Sequence, residues 1–99
     1  MSRPPLLTDH ALSLSLPSIK GWSVRSDGKA LEKTFTFDTF AMAFSFMGKV
    51  AQEAEALDHH PDWYNSYNRV EISLQTHDVG GITKLDIALA KAINSIAAL

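Results

Sequence analysis

One helical period, cut off by a proline, constrains this chain more than any other feature. Between Asp38 and about Leu57 the apolar residues Phe40, Ala43, Phe44, Met47, Ala51 and Ala54 return at helical spacing, and Pro61 forbids the helix to continue. Asp38 is a natural N-cap for it. The pattern predicts the longest element and the main core helix. A second apolar line, Met42, Phe46, Val50 and Leu57, lies about 100° or more around from part of the first, which is more apolar surface than one small sheet covers.

On either side of this helix the period changes from helical to alternating. Trp22–Arg25 and Leu31–Phe37 alternate about the turn residues Ser26-Asp27-Gly28-Lys29, which predicts a β-hairpin. Residues 63–67 are rich in aromatics, and 69–76 place Val70, Ile72 and Leu74 inward with Glu71, Ser73 and Gln75 outward, giving two more strands joined near Asn68. After a frayed lead-in, Met1 to Pro5, the alternation of Leu12, Leu14 and Leu16 with Ser13 and Ser15 fits a strand as well as a helix, and the cap Thr8 or Asp9 with the stop at Pro17 decides for a short helix over 9–16. The last helix starts with the capping-box spacing Thr83–Asp86 and buries Leu85, Leu89, Ala92, Ile93 and Ile96. The order αββαββα predicts an α+β sandwich, a four-stranded antiparallel sheet with three helices on one face. The polar residues Glu32, Thr34, Thr36, Glu71, Ser73 and Gln75 are left for the other face.

Ninety-nine residues fit one domain, 1–99, whose small core makes help from oligomerisation plausible. With no cysteine, thiolate metal sites and disulfides are excluded. A net charge of -2 with scattered positive residues gives no electrostatic footprint for nucleic acid. No signal peptide or membrane-spanning run is present, so the chain is expected to be soluble, cytoplasmic and without a membrane partner.

Three of the four histidines fall between Glu55 and Asp86. His59 and His60 are adjacent, so they diverge by about 100° on a helix or face opposite ways on a strand, and they do not form the same-face pair a metal prefers. Favourable contact with the last carbonyls of a helix explains such a pair equally well. His77 stands at a strand end beside Gly80-Gly81, where backbone can approach a ligand closely. Asp86 is placed to cap the last helix; Trp63, Tyr64 and Tyr67 are by default core or sheet-face aromatics, and His10 a surface residue. General acid–base chemistry asks less of these groups than zinc does. An ordinary imidazole, with a pKa near about 6.5, exchanges protons at neutral pH, and a carboxylate can orient it.

Glu55, three residues, His59-His60-Pro61, five residues, Tyr67, nine residues, His77, eight residues and Asp86: this spacing resembles the signature of the pterin-4a-carbinolamine dehydratases. The words Phe44-Ser45-Phe46-Met47, LDHHPDWYN and THDVGGIT are similar to that family too, and the likeness runs from Gly21 onward.

The resemblance implies the same α+β fold and an activity, dehydration of 4a-hydroxytetrahydropterin to quinonoid dihydropterin. No metal or organic cofactor is implied, because the pterin is the substrate and its own N5 helps to expel the hydroxyl. His59, His60 and His77 are implied as the catalytic set, with Asp86 orienting or charging a histidine. Pro61 fixes where the histidine pair points, and Trp63 is expected near the flat ring. The backbone at Asp58, Gln75, Thr76 and Asp78 is expected to read the pyrimidinone edge. Family members form homotetramers, and the animal ones also act as dimerisation cofactors of a homeodomain transcription factor. A homo-oligomer, dimer or tetramer, is therefore expected here through the helix line Met42, Phe46 and Val50, with helix-mediated binding to a regulatory protein as the alternative function.

Overall fold

A threonine begins each of the three α-helices, its side-chain oxygen accepting an amide that the first turn leaves without a partner. In the computed structural model, which describes residues 3–98, Thr8 Oγ1 accepts from the Ala11 amide at 3.1 Å, Thr39 Oγ1 from Met42 at 3.1 Å and Thr83 Oγ1 from Leu85 at 3.2 Å. The helices are α1 (Asp9–Ser15), α2 (Phe40–Leu57) and α3 (Lys84–Ala97). Thr39 rather than Asp38 is thus the cap of α2, because Thr39 is the residue whose extended backbone turns its side chain back onto the first turn.

The strands are β1 (Ser23–Val24), β2 (Leu31–Thr36), β3 (Asp62–Ser66) and β4 (Arg69–Leu74), in the order α1-β1-β2-α2-β3-β4-α3 along the chain. All pairings are antiparallel, and the spatial order is β1-β2-β4-β3. Both hairpins predicted from the sequence form. The tight turn of the second is Tyr67-Asn68, with Tyr67 at φ 51° and the Asn65 amide pinned to the carbonyls of Tyr67 and Arg69 at 3.0 and 2.9 Å. β1 is shorter than its alternation suggested, since Trp22 leaves the strand to bury its indole, donating to Asn94 Oδ1 at 2.9 Å. β4 ends at Leu74, and Thr76 makes only a bridge to Gly81.

One face of the sheet carries Leu31, Phe35, Val70, Ile72 and Leu74 into the core, where α2, α3 and the partly buried Leu12 and Leu16 of the α1 region cover it. Lys33 belongs to this face. Its ammonium is held by the Lys20 carbonyl at 2.8 Å and Asn94 Oδ1 at 2.9 Å, over the Phe35 ring. Burial pushes its pKa below the ordinary lysine value.

The phase of α2 differs from the one read in the sequence. Ala43, Phe46, Val50 and Ala54 are buried, whereas Phe40, Phe44 and Ala51 of the expected stripe face out and Met47 is half-buried. Phe46 packs on Phe35 and Phe37 at ring-centroid distances of 5.0 and 4.8 Å. Phe46 and Val50 therefore belong to the chain's own core and are not free for a partner, although Met42 is exposed. The N-terminal half of the helix is apolar nearly all round, so the phase is decided by which side chains fit the sheet. In α3 the buried positions include Ile87 and Ala90 as well as the expected Leu89 and Ile93, while Leu85, Ala92 and Ile96 are half-buried.

Candidate active site

The end of α2 sends two adjacent histidines apart. Asp58 closes the helix in the left-handed region at φ 50°, and the His59 amide still reaches back to the Ala54 carbonyl at 3.0 Å. His59 then turns inward and keeps 6% of its surface, while His60 stays exposed and Pro61 leads into β3.

His59 Nε2 lies 2.5 Å from Asp86 Oδ1. Asp86 is fully buried, and its other oxygen accepts from the Thr83 amide and the Thr76 hydroxyl, both at 2.9 Å. Thr76 donates to Asp86, so the Thr83 hydroxyl, 2.7 Å away, donates to Thr76. Three donors thus compensate the desolvation of one carboxylate. The same side chain completes the capping box of α3.

The other two histidines have carboxylates as well. His60 Nε2 lies 2.5 Å from Glu55 Oε2, one turn back on α2, and His77 Nε2 lies 3.0 Å from Asp62 Oδ2 at the start of β3. An ionised carboxylate only accepts, so each Nε2 carries a proton and each Nδ1 is left for something else. Such an imidazole accepts a proton at Nδ1 and, once protonated, donates it.

His59, His60 and His77 line one cleft of about 140 Å³ together with Asp58, Gln75, Thr76, Asp78 and Arg3. Seven of the residues expected from the sequence therefore meet, and Asp86 lies beneath them. Pro61 and Trp63 do not line this cleft. Strand alternation pairs Trp63 with Ile72 and packs it against the core. A larger hollow of about 640 Å³ on the uncovered sheet face contains no histidine. Among the described residues, no three His, Asp or Glu side chains form a group that could hold a metal ion.

Arg3, Asp62 and the pairing of Glu55 with His60 were not foreseen. Asp62 carries a signal that could have been read, an acid one residue after the His59-His60-Pro61 run. Arg3 carries none, because 55 residues separate it from Asp58, its partner across the cleft.

Residues 5–96 match the family model described as pterin 4 alpha carbinolamine dehydratase. The chain belongs to this family of hydro-lyases. A pterin-4-alpha-carbinolamine dehydratase homologue of Afipia carboxidovorans is 53% identical over 94% of this chain and 93% of its own length. One of Rhodospirillum rubrum is 53% identical over 91% of this chain and 94% of its own. A crystal structure of a transcriptional coactivator/pterin dehydratase from Brucella melitensis superposes with a TM-score of 0.90 at 42% identity, covering 93% of this chain and 98% of that one. Among the described residues of this dehydratase-family chain, no helix is long and apolar enough to cross a membrane.

Proposed function

We propose that this chain dehydrates 4a-hydroxytetrahydropterins to quinonoid dihydropterins by histidine acid–base catalysis. The observation that carries the reading is the convergence of three imidazoles on one cleft, each tied to a carboxylate through Nε2. In the reaction the C4a–O bond breaks as the oxygen takes a proton and leaves as water. The electron pair of N5 forms the new C–N double bond, and a proton leaves the pterin nitrogen. One imidazolium supplies the first proton and one neutral imidazole accepts the second; the carboxylates stabilise whichever imidazole is charged. His60 and His77, exposed at the mouth, can exchange protons with water between turnovers. His59 is shielded and held by the buried Asp86. The backbone of Asp58, Gln75, Thr76 and Asp78 is proposed to hold the pyrimidinone edge.

The test is rapid-mixing absorbance decay of 4a-hydroxytetrahydropterin. Wild type should accelerate it, and His60→Ala or His77→Ala should reduce the acceleration by roughly 10²-fold or more. A folded wild type that leaves the spontaneous rate unchanged would end the proposal.

A second reading is favoured by a separate observation. Phe40 and Phe44, one turn apart on α2, are 45% and 64% exposed and stack on each other, and Met42, on the opposite flank of the helix, is 49% exposed. Exposed apolar surface of this kind marks an interaction site. We propose that it joins copies of this chain, with a regulatory protein as the other partner to test.

A further inference from the structure

Arg3 stands outside the segment 5–96 that the family model matches, yet it forms part of the wall of the histidine cleft. Its Nη2 is 3.4 Å from Asp58 Oδ2 and its Nε is 3.5 Å from Asp78 Oδ2. The two acids sit on different elements. Asp58 ends α2 and immediately precedes His59, and Asp78 follows His77 in the 3-10 turn His77–Val79.

The segment carrying Arg3 is seated beside these turns. The Leu7 amide donates to the Ile82 carbonyl at 2.9 Å. Leu6 lies so close to Gly81 that an added Cβ there would meet Leu6 Cδ2 at 2.7 Å. These contacts direct the chain across the 76–82 loop and deliver a guanidinium between two carboxylates. Without that cation, Asp58 and Asp78 would face each other across the cleft with like charge.

We propose that Arg3 is a positioning residue, a clamp that ties the two histidine-bearing turns together and so sets the spacing of His59 and His60 against His77. The planar fork of Arg spans two acids, which a point-charged lysine cannot do equally well. Because both carboxylates are solvent-exposed, the clamp contributes little to global stability and acts locally. Its effect on turnover rests on the reading of the cleft as the pterin site; its effect on the turns does not.

The experiment is therefore run on two readouts, in wild type, Arg3→Ala and Arg3→Lys. The first is amide hydrogen exchange at Asp58 and His59, bonded to the Glu55 and Ala54 carbonyls, and at Val79 and Gly80, bonded to the Thr76 carbonyl. Exchange in both turns should quicken about threefold or more in Arg3→Ala, less in Arg3→Lys, with the amides of β4 unmoved, and about 0.5 M salt should bring wild type towards the variant. The second is dehydration kinetics, where Arg3→Ala should raise KM about fivefold with kcat within about twofold.

Unchanged exchange in both turns at low salt overturns the clamp, as does quickening spread evenly through β4, which would mark a merely structural role. Opening of the two turns in a protein that dehydrates no pterin upholds the clamp and sinks the substrate reading instead.

Discussion

Asp86 Oδ1 lies 2.5 Å from His59 Nε2 while Asp86 Oδ2 caps the amide of Thr83, so one buried carboxylate both starts α3 and holds a cleft histidine. Removing it leaves the Thr83 amide, the Thr76 hydroxyl and the His59 ring without an acceptor. Asp86→Ala should therefore destabilise the fold by about 3 kcal/mol or more, read from urea denaturation. Asp86→Asn keeps an oxygen for the Thr83 amide but can turn an NH₂ toward His59 Nε2, forcing the proton to Nδ1. It should lose less stability and yet most of its activity, with the tautomer change visible in ¹⁵N shifts of the ring.

The Asp62–His77 pair offers the opposite case, because both side chains are more than half exposed. An exposed pair contributes at most about 1 kcal/mol to folding. Asp62→Asn should leave the urea midpoint nearly unchanged while lowering kcat by about tenfold, as the His77 imidazolium loses the negative charge that stabilises it. Equal kcat in the two proteins would remove Asp62 from the site.

These two acids also mark how far the sequence could be read. The element order was legible because alternation and helical period are local, and Pro61, Gly28 and the cap residues Thr8 and Thr83 punctuate them. Asp86 invited two readings, cap or histidine partner, and the two proved compatible because a carboxylate has two oxygens. The phase of α2 was not legible: with Phe40, Met42, Phe44 and Phe46 all apolar, only the fit of Phe46 against Phe35 and Phe37 selects the buried line. Arg3 was out of reach for a different reason, since the path of residues 3–8 is fixed by the long-range contacts of Leu6 and Leu7.

Lys33 predicts a pH dependence. Burial lowers the pKa of its ammonium in the folded chain below the value of 10.5 that it has when unfolded. Between those two values the unfolded state binds more protons, so the contribution of Lys33 to stability rises with pH. In Lys33→Met that contribution is absent. The difference in unfolding free energy between wild type and variant should therefore move in favour of wild type from pH 8 to pH 10.5, with the other titrating groups cancelling between the two proteins. A difference that stays flat across the window would show that the ammonium is solvated in the fold.

Two phenylalanines one half-turn apart on α2 separate the core from an exposed apolar flank. Phe46 is 4% exposed and touches Phe35 and Phe37, so Phe46→Ala removes a filled volume from the core and should cost about 3–5 kcal/mol in urea denaturation. Phe44 is 64% exposed, and its only ring stacking within the described residues is with Phe40. Phe44→Glu should leave the fold of a single chain intact and, by placing charge on the apolar face, lower the mass measured by light scattering at micromolar concentration. The pair of results assigns the two rings separately. A wild type that is already monomeric would exclude self-association through this face and direct attention to a different protein as its partner.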